Sequence, residues 1–157
     1  MKGVYVLVIQ IPKDLSLTIK SLGNLRFERG TWLYVGSAMG DGSTNLENRL
    51  LRHFRNKKTI YWHIDYLLSR KVTLQSAIWA ESSHSLECQL AKDFENDKTC
   101  VPGPKGFGAS DCRNRCYSHI FRCLNDERVV EIVQNIFVSL GLEPKLTLDG
   151  FLDGLVP

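Results

Sequence analysis

GVYVLVIQI, residues Gly3–Ile11, is apolar at odd and even positions alike. A strand with one wet face alternates with period two. A β-branched run that is apolar in both phases predicts a strand covered on both faces, and so central in its sheet. Pro12–Asp14 ends it. Downstream, Leu15–Ile19 reads as another strand, Leu22–Asn24 as a turn, and Arg26–Arg29 as a segment pairing back before Gly30. Thr31–Ser37 (TWLYVGS), aromatic and β-branched, is the second good strand.

After a flexible connector, Met39–Thr44 (MGDGST), comes Asn45–Lys58, NLENRLLRHFRNKK. At about 100° per residue, Leu46, Leu50 and Phe54 share one stripe of a helix, Arg49 and His53 lie one turn apart at its edge, and Arg52 and Arg55 lie further round. Ser43, Thr44 or Asn45 can cap it, and Asn56–Lys58 would end it in positive charge, which its dipole favours. Thr59 would cap a second helix, Ile60–Leu68, with Ile60, Ile64, Leu67 and Leu68 inward. Lys71–Ala80 reads as a strand, and Ser82–Ser85 offers caps for a helix running to about Phe94. Glu95–Asp111, rich in Gly and Pro, reads as loop. Cys112–Cys123 reads as a short strand or a metal knuckle. Asp126–Leu140 is an amphipathic helix with Val129, Ile132, Val133, Ile136 and Leu140 inward and Gly141 as its stop. Phe151 and Leu155 are expected to dock. The expectation is an α+β domain: a small mixed or antiparallel sheet flanked by helices over residues 1–124, and an acidic helix and tail, 125–157, packed on or extending it.

With 157 residues, 43% hydrophobic and 24% charged, the chain has the composition of one globular domain with a real core. No run is apolar for long enough to span a bilayer. The N-terminus has no small-residue cleavage site, so a cytoplasmic location is expected. The net charge of +3 is uneven: from Asn125 onward six acids face two bases, a net of −4, which leaves about +7 on residues 1–124. A basic body favours a polyanionic partner such as nucleic acid. Five cysteines without an export signal point to reduced thiols, a metal site, or both.

Glu87 carries the sharpest chemical signal. On its helix it projects within the arc of Leu86, Leu90, Ala91 and Phe94, where a carboxylate is costly unless a cation meets it. Either a hard divalent ion or a structural ion pair satisfies it. Arg49 with His53 suits a phosphate held beside a proton-exchanging imidazole, or a solvated basic face. Tyr5 and Tyr34 in strands are ordinary packing residues on pattern alone. His63 and Asp65, two apart, do not share a helix face. Cys112, Cys116, His119 and Cys123 have ligand types and spacings that can make a structural zinc site. The usual two close pairs across a long loop are missing, however, and buried reduced thiols are the alternative. No phosphate-binding glycine loop is present.

In order, Gly3-Val4-Tyr5, Tyr34-Val35-Gly36, Arg49, His53, His63 and Glu87 resemble the GIY-YIG nuclease superfamily, and in particular its small stand-alone Uri-type members, over roughly residues 1–123. GTWLYVGSA, NLENRLLRHFR, YWHIDYLL, LECQLA, GFGASDC and SHIF are the segments that look alike. The resemblance implies phosphodiester hydrolysis with one divalent ion, Mg²⁺ or Mn²⁺, held by Glu87. It implies Tyr5 and Tyr34 around the attacking water, Arg49 on the scissile phosphate, His53 in the auxiliary or general-base position, and His63 in support. Arg52, Arg55, Lys57 and Lys58 are expected to track the nucleic-acid backbone, of DNA ahead of RNA. A non-catalytic nucleic-acid- or protein-binding module on the same fold is the alternative. The interval from Tyr5 to Tyr34 is longer than the usual hairpin and must hold an extra strand or loop at Pro12–Gly30. The asparagine that many members place after the metal carboxylate has no counterpart, Asn96 being too close and Asn114 too far. Substrate structure and oligomeric state are not readable.

Overall fold

The structure is a computed structural model and describes residues 1–152. Its main sheet has six strands in the order β6–β7–β4–β1–β5–β8: β1 (Gly3–Ile11), β4 (Gly30–Ala38), β5 (Thr73–Glu81), β6 (Cys100–Pro102), β7 (Ile120–Cys123) and β8 (Lys145–Thr147). Every neighbouring pair is antiparallel. β1 lies inside, between β4 and β5, as its two-faced apolarity requires.

Its two phases feed two cores. Tyr5, Leu7, Ile9 and Ile11 pack with Tyr34, Trp79 and helices α1 (Leu46–Phe54) and α2 (His63–Leu68). Val4, Val6 and Val8 pack with Leu33, Val35 and helices α3 (Glu87–Asn96) and α4 (Val129–Ser139). Burying a Val or Leu side chain in this way contributes roughly 1.5–3 kcal/mol. Because Val129, Val133, Ile136 and Phe137 join the second core, the C-terminal helix is part of the same packed body.

The long interval after β1 is filled by a separate antiparallel hairpin, β2 (Leu15–Ile19) and β3 (Gly23–Phe27). Its Leu17, Ile19, Leu25 and Phe27 are inserted into the first core. The pairing segment expected at Arg26–Arg29 starts three residues earlier, at Gly23, which leaves the turn with φ 84°.

Several boundaries differ from expectation. α2 begins at His63 rather than Ile60, because the Asp65 carboxylate accepts from the amides of Tyr61 and Trp62, both at 2.9 Å, ahead of the first turn. Ile60 is consequently exposed, not inward. α1 stops at Phe54, so Asn56–Lys58 lies beyond its end. The stretch expected to be all loop contains β6, and β8 was not anticipated. α4 starts after a 3₁₀ turn at Asp126–Arg128. It closes as expected at Gly141, whose φ is 77°, with the Leu142 amide bonded back to the Phe137 carbonyl. At the C-terminal end Leu152 is buried and Phe151 half exposed, while Leu155 lies outside the described residues.

Candidate active site

Helix α1 is anchored first. The Asn45 side chain accepts from the Asn48 amide at 2.9 Å, and Leu46 and Leu50 are fully buried. That rotation turns His53 inward, where it is 2% exposed. Its Nε2 lies 2.8 Å from the Tyr5 hydroxyl, and its Nδ1 has no partner. Gly36 stands opposite Tyr5 in the ladder. A Cβ there would come within 2.5 Å of the Tyr5 ring and hydroxyl, so only glycine lets the ring cross β4. Tyr34, two residues before, stacks edge-on against His53 and Phe107.

Burial dominates the titration of these groups. It raises Tyr5 well above its ordinary 10, against the opposing Arg49 guanidinium. It raises Tyr34 as well, with Tyr5 and Glu87 adding to the rise. It lowers His53 to about 3, outweighing the pull of Asp65. His53 is thus neutral across the physiological range. The expectation of an accessible base near neutrality gives way to an imidazole behind Tyr5 that shares a proton with it.

The strand edge next to this pair is open. β7 pairs with β4 only over Thr31–Tyr34, leaving the residues beyond to other partners. Ser37 is the hub there. Its carbonyl accepts from Arg49 Nη1 at 2.9 Å, and its hydroxyl donates to Glu87 Oε1 at 3.2 Å. Burial, the largest influence, pushes Glu87 up to about 7. Asp111 adds to the rise, while the Ser37 hydroxyl and Arg49 oppose it. A carboxylate held this way gains from any cation that reaches it. Ser37 and Asp111 were missed from the sequence, since neither a strand-end serine nor an exposed loop acid stands out by periodicity.

A small cleft of about 180 Å³ opens beside Tyr34, lined by Tyr61, Trp62, His63, Gly108, Ser110 and Asp111. His63 Nδ1 accepts from the Gly108 amide at 2.9 Å, which puts any neutral-ring proton on Nε2. A larger cleft of about 360 Å³ lies between β3 and β6 and contains none of the candidate residues.

The expected substrate-tracking cations divide. Arg52 leaves the set: both its terminal nitrogens bond the fully buried Asp65 at 2.9 Å, and one also donates to the Thr59 carbonyl. Lys58 donates to the Arg55 carbonyl at 2.8 Å. Arg55 and Lys57 are exposed. Arg49 and Arg52 clasp the Trp62 ring, with guanidinium carbons 4.2 and 4.4 Å from its centroid.

The cysteines also regroup. Cys112, Cys116 and His119 come together as expected, but the fourth member is Cys88, in the first turn of α3, with all four ligand atoms within 4.8 Å of one another. This group can hold a metal ion. Cys123 is not in it: on β7 it lies opposite Cys100 in the ladder, in the second core. The extension of β7 explains the exclusion: the strand begins at Ile120 and its rise of about 3.3 Å per residue carries Cys123 away from the loop holding the others. Asn114 stands beside Cys88.

The fold and site thus define an α+β domain in which a buried tyrosine–histidine pair, an arginine and a carboxylate meet at one strand end beside a three-cysteine, one-histidine group. Residues 4–142 match a family described as domain of unknown function DUF123, and the chain belongs to that family. No curated protein and no solved structure matches it. Among the described residues no helix is long and apolar enough to cross a membrane.

Proposed function

We propose that the chain is a metal-dependent endonuclease of the GIY-YIG kind, hydrolysing phosphodiester bonds in nucleic acid, DNA ahead of RNA. The observation that carries this reading is the convergence on Ser37. One residue's carbonyl and hydroxyl hold Arg49 and Glu87, from two different helices, next to the Tyr5–His53 pair.

Each group has a task that its chemistry suits. Arg49 supplies a fixed cation for a non-bridging phosphate oxygen, with Trp62 stacked against it. Tyr5 orients the attacking water, its own hydroxyl held by the neutral His53 ring at Nε2, 2.8 Å away. Alone, a phenol raised by burial is scarcely ionised; the nearby guanidinium lowers the cost of its charged form. Glu87 offers hard carboxylate oxygens, and Asp111 adds charge nearby, which fits Mg²⁺ or Mn²⁺ rather than a soft ion. Such an ion, when bound, supplies Lewis-acid polarisation of the phosphoryl oxygen and a more acidic water. Exposed Arg55 and Lys57 would follow the substrate backbone, and Tyr61, 77% exposed beside the cleft, offers a face for a base to stack on.

The near-complete burial of Tyr5 favours the second reading, a binding module that keeps the fold without turnover. Labelled single-stranded, duplex and branched DNA, incubated with Mg²⁺ and with chelator beside Glu87→Ala, separates the two. Cleavage lost in the variant is the expected result. Cleavage indifferent to Glu87→Ala, or absent on every substrate while binding persists, would leave only the module.

A further inference from the structure

The Cys88, Cys112, Cys116 and His119 group offers sulfur and nitrogen donors and no hard oxygen: three thiols and one imidazole. That donor set selects zinc over hard divalent ions, and four protein ligands with no open position make a structural rather than a catalytic site. For zinc–sulfur bonds of about 2.3 Å and a zinc–nitrogen bond of about 2.0 Å, tetrahedral neighbours stand roughly 3.5–3.8 Å apart. The present separations bracket that edge: Cys88 Sγ lies 3.0 Å from Cys112 Sγ and 4.0 Å from His119 Nε2. Cys88 and Cys112 are well beyond the disulfide bond length of about 2.05 Å. The turn between Cys112 and Cys116 has Arg115 at φ 56°, and the amides of Asn114 and Cys116 are directed at the Cys112 sulfur.

The other side of His119 links this group to the candidate active site. The ring is 1% exposed and its Nδ1 makes no well-formed hydrogen bond. Its salt-bridge partner is Glu87 Oε2, at 3.3 Å, while Glu87 Oε1 is taken by Ser37. A metal on Nε2 forces the ring proton onto Nδ1, facing that carboxylate. We propose that Cys88, Cys112, Cys116 and His119 form a structural zinc centre whose histidine donates its Nδ1–H to Glu87, so that the zinc and the candidate catalytic carboxylate are one coupled unit. Glu87 is then a positioning residue for the zinc, and the zinc holds one oxygen of Glu87 in place. The second consequence rests on the nuclease reading; the first does not.

The test needs no nucleic acid. Purified full-length chain is assayed for zinc, and cobalt-substituted protein for tetrahedral ligand-field bands and thiolate-to-cobalt charge transfer. Zinc affinity is then measured by chelator competition in Glu87→Ala, Glu87→Gln and Cys123→Ser. One zinc per chain is expected, retained in Cys123→Ser. Glu87→Ala should bind it about 10–100-fold more weakly, the usual cost of losing a carboxylate behind a ligating histidine. Glu87→Gln, which keeps an oxygen acceptor, should fall between. Absence of zinc and of cobalt bands, or a Cys88–Cys112 disulfide in protein purified under reducing conditions, would overturn the centre. An affinity unchanged in Glu87→Ala would overturn the coupling and hand the ring proton to the neighbouring Gly108 carbonyl. An inactive protein that binds zinc in this pattern would sink the nuclease reading and leave this one standing.

Discussion

Replacing Arg52 by alanine removes a basic residue of α1 that is committed to a buried carboxylate of the fold. The variant leaves Asp65, whose side chain is fully buried, without its cation and with only the amides of Tyr61 and Trp62. Breaking a buried pair by removing one partner costs about 3–5 kcal/mol. Arg52 is itself 21% exposed, so water partly replaces it and the low end, about 3 kcal/mol, is expected. For a domain of this size that is roughly 6–12 °C in Tm. Urea unfolding of wild type and variant measures it. The pH dependence provides an internal check. Burial alone would raise the Asp65 pKa, but Arg52 and the two amides outweigh it and hold the folded value below the ordinary carboxylate range. A depressed folded pKa gives stability that is complete above the unfolded value, about 3.9, and is lost as pH falls through the folded one. The gap between wild type and variant should therefore be level from about pH 5 to 8 and close in acid. A loss below about 1 kcal/mol, the range of an exposed pair, or a gap that widens in acid, would mean that Asp65 does not depend on Arg52.

Gly36→Ala should displace the Tyr5 ring, since the new methyl would meet it at 2.5 Å. A stability loss of about 1–3 kcal/mol on urea unfolding, with cleavage lost more completely than stability, is expected. Arg55→Ala and Lys57→Ala should leave stability within about 0.5 kcal/mol of wild type. Each should flatten the slope of log K against log salt for duplex DNA by about 0.9, the loss of one phosphate contact, measured by titration at several salt concentrations. Arg49→Ala should remove turnover with only modest loss of binding; equal loss of both would make Arg49 a binding residue alone.

What could be read from the sequence depended on the range of the interactions. β1 declared itself because a two-faced apolar run has few other solutions. The helix at Leu46–Phe54 did so because its stripe and its Asn45 cap are local. The hairpin inserted after Pro12 was legible as extra length, though not its register, which is set by Leu17 and Phe27 entering the core. Arg52 was misread for the same reason that Asp65 was undervalued. Their pairing joins residues 13 apart, and neither helical periodicity nor spacing along one element reports contacts between elements. Cys88 was missed as a ligand because the other three lie in one loop, while it arrives on a helix 24 residues earlier. Cys123 was included because sequence spacing does not tell that a strand begins at Ile120. Ser37 was hidden inside a motif quoted for its tyrosine and glycine.

If Tyr5, Arg49 and Glu87 act together on a phosphodiester, as proposed, single-turnover cleavage by Tyr5→Phe with Mg²⁺ present is the decisive measurement. The ring stays, the hydroxyl 2.8 Å from His53 goes, and binding to the same labelled DNA is measured in parallel to report folding. Near wild-type binding is expected, with cleavage slowed by about 10²–10⁴-fold, the range for losing a positioned proton-transfer group. Cleavage by Tyr5→Phe at the wild-type rate would contradict the proposal.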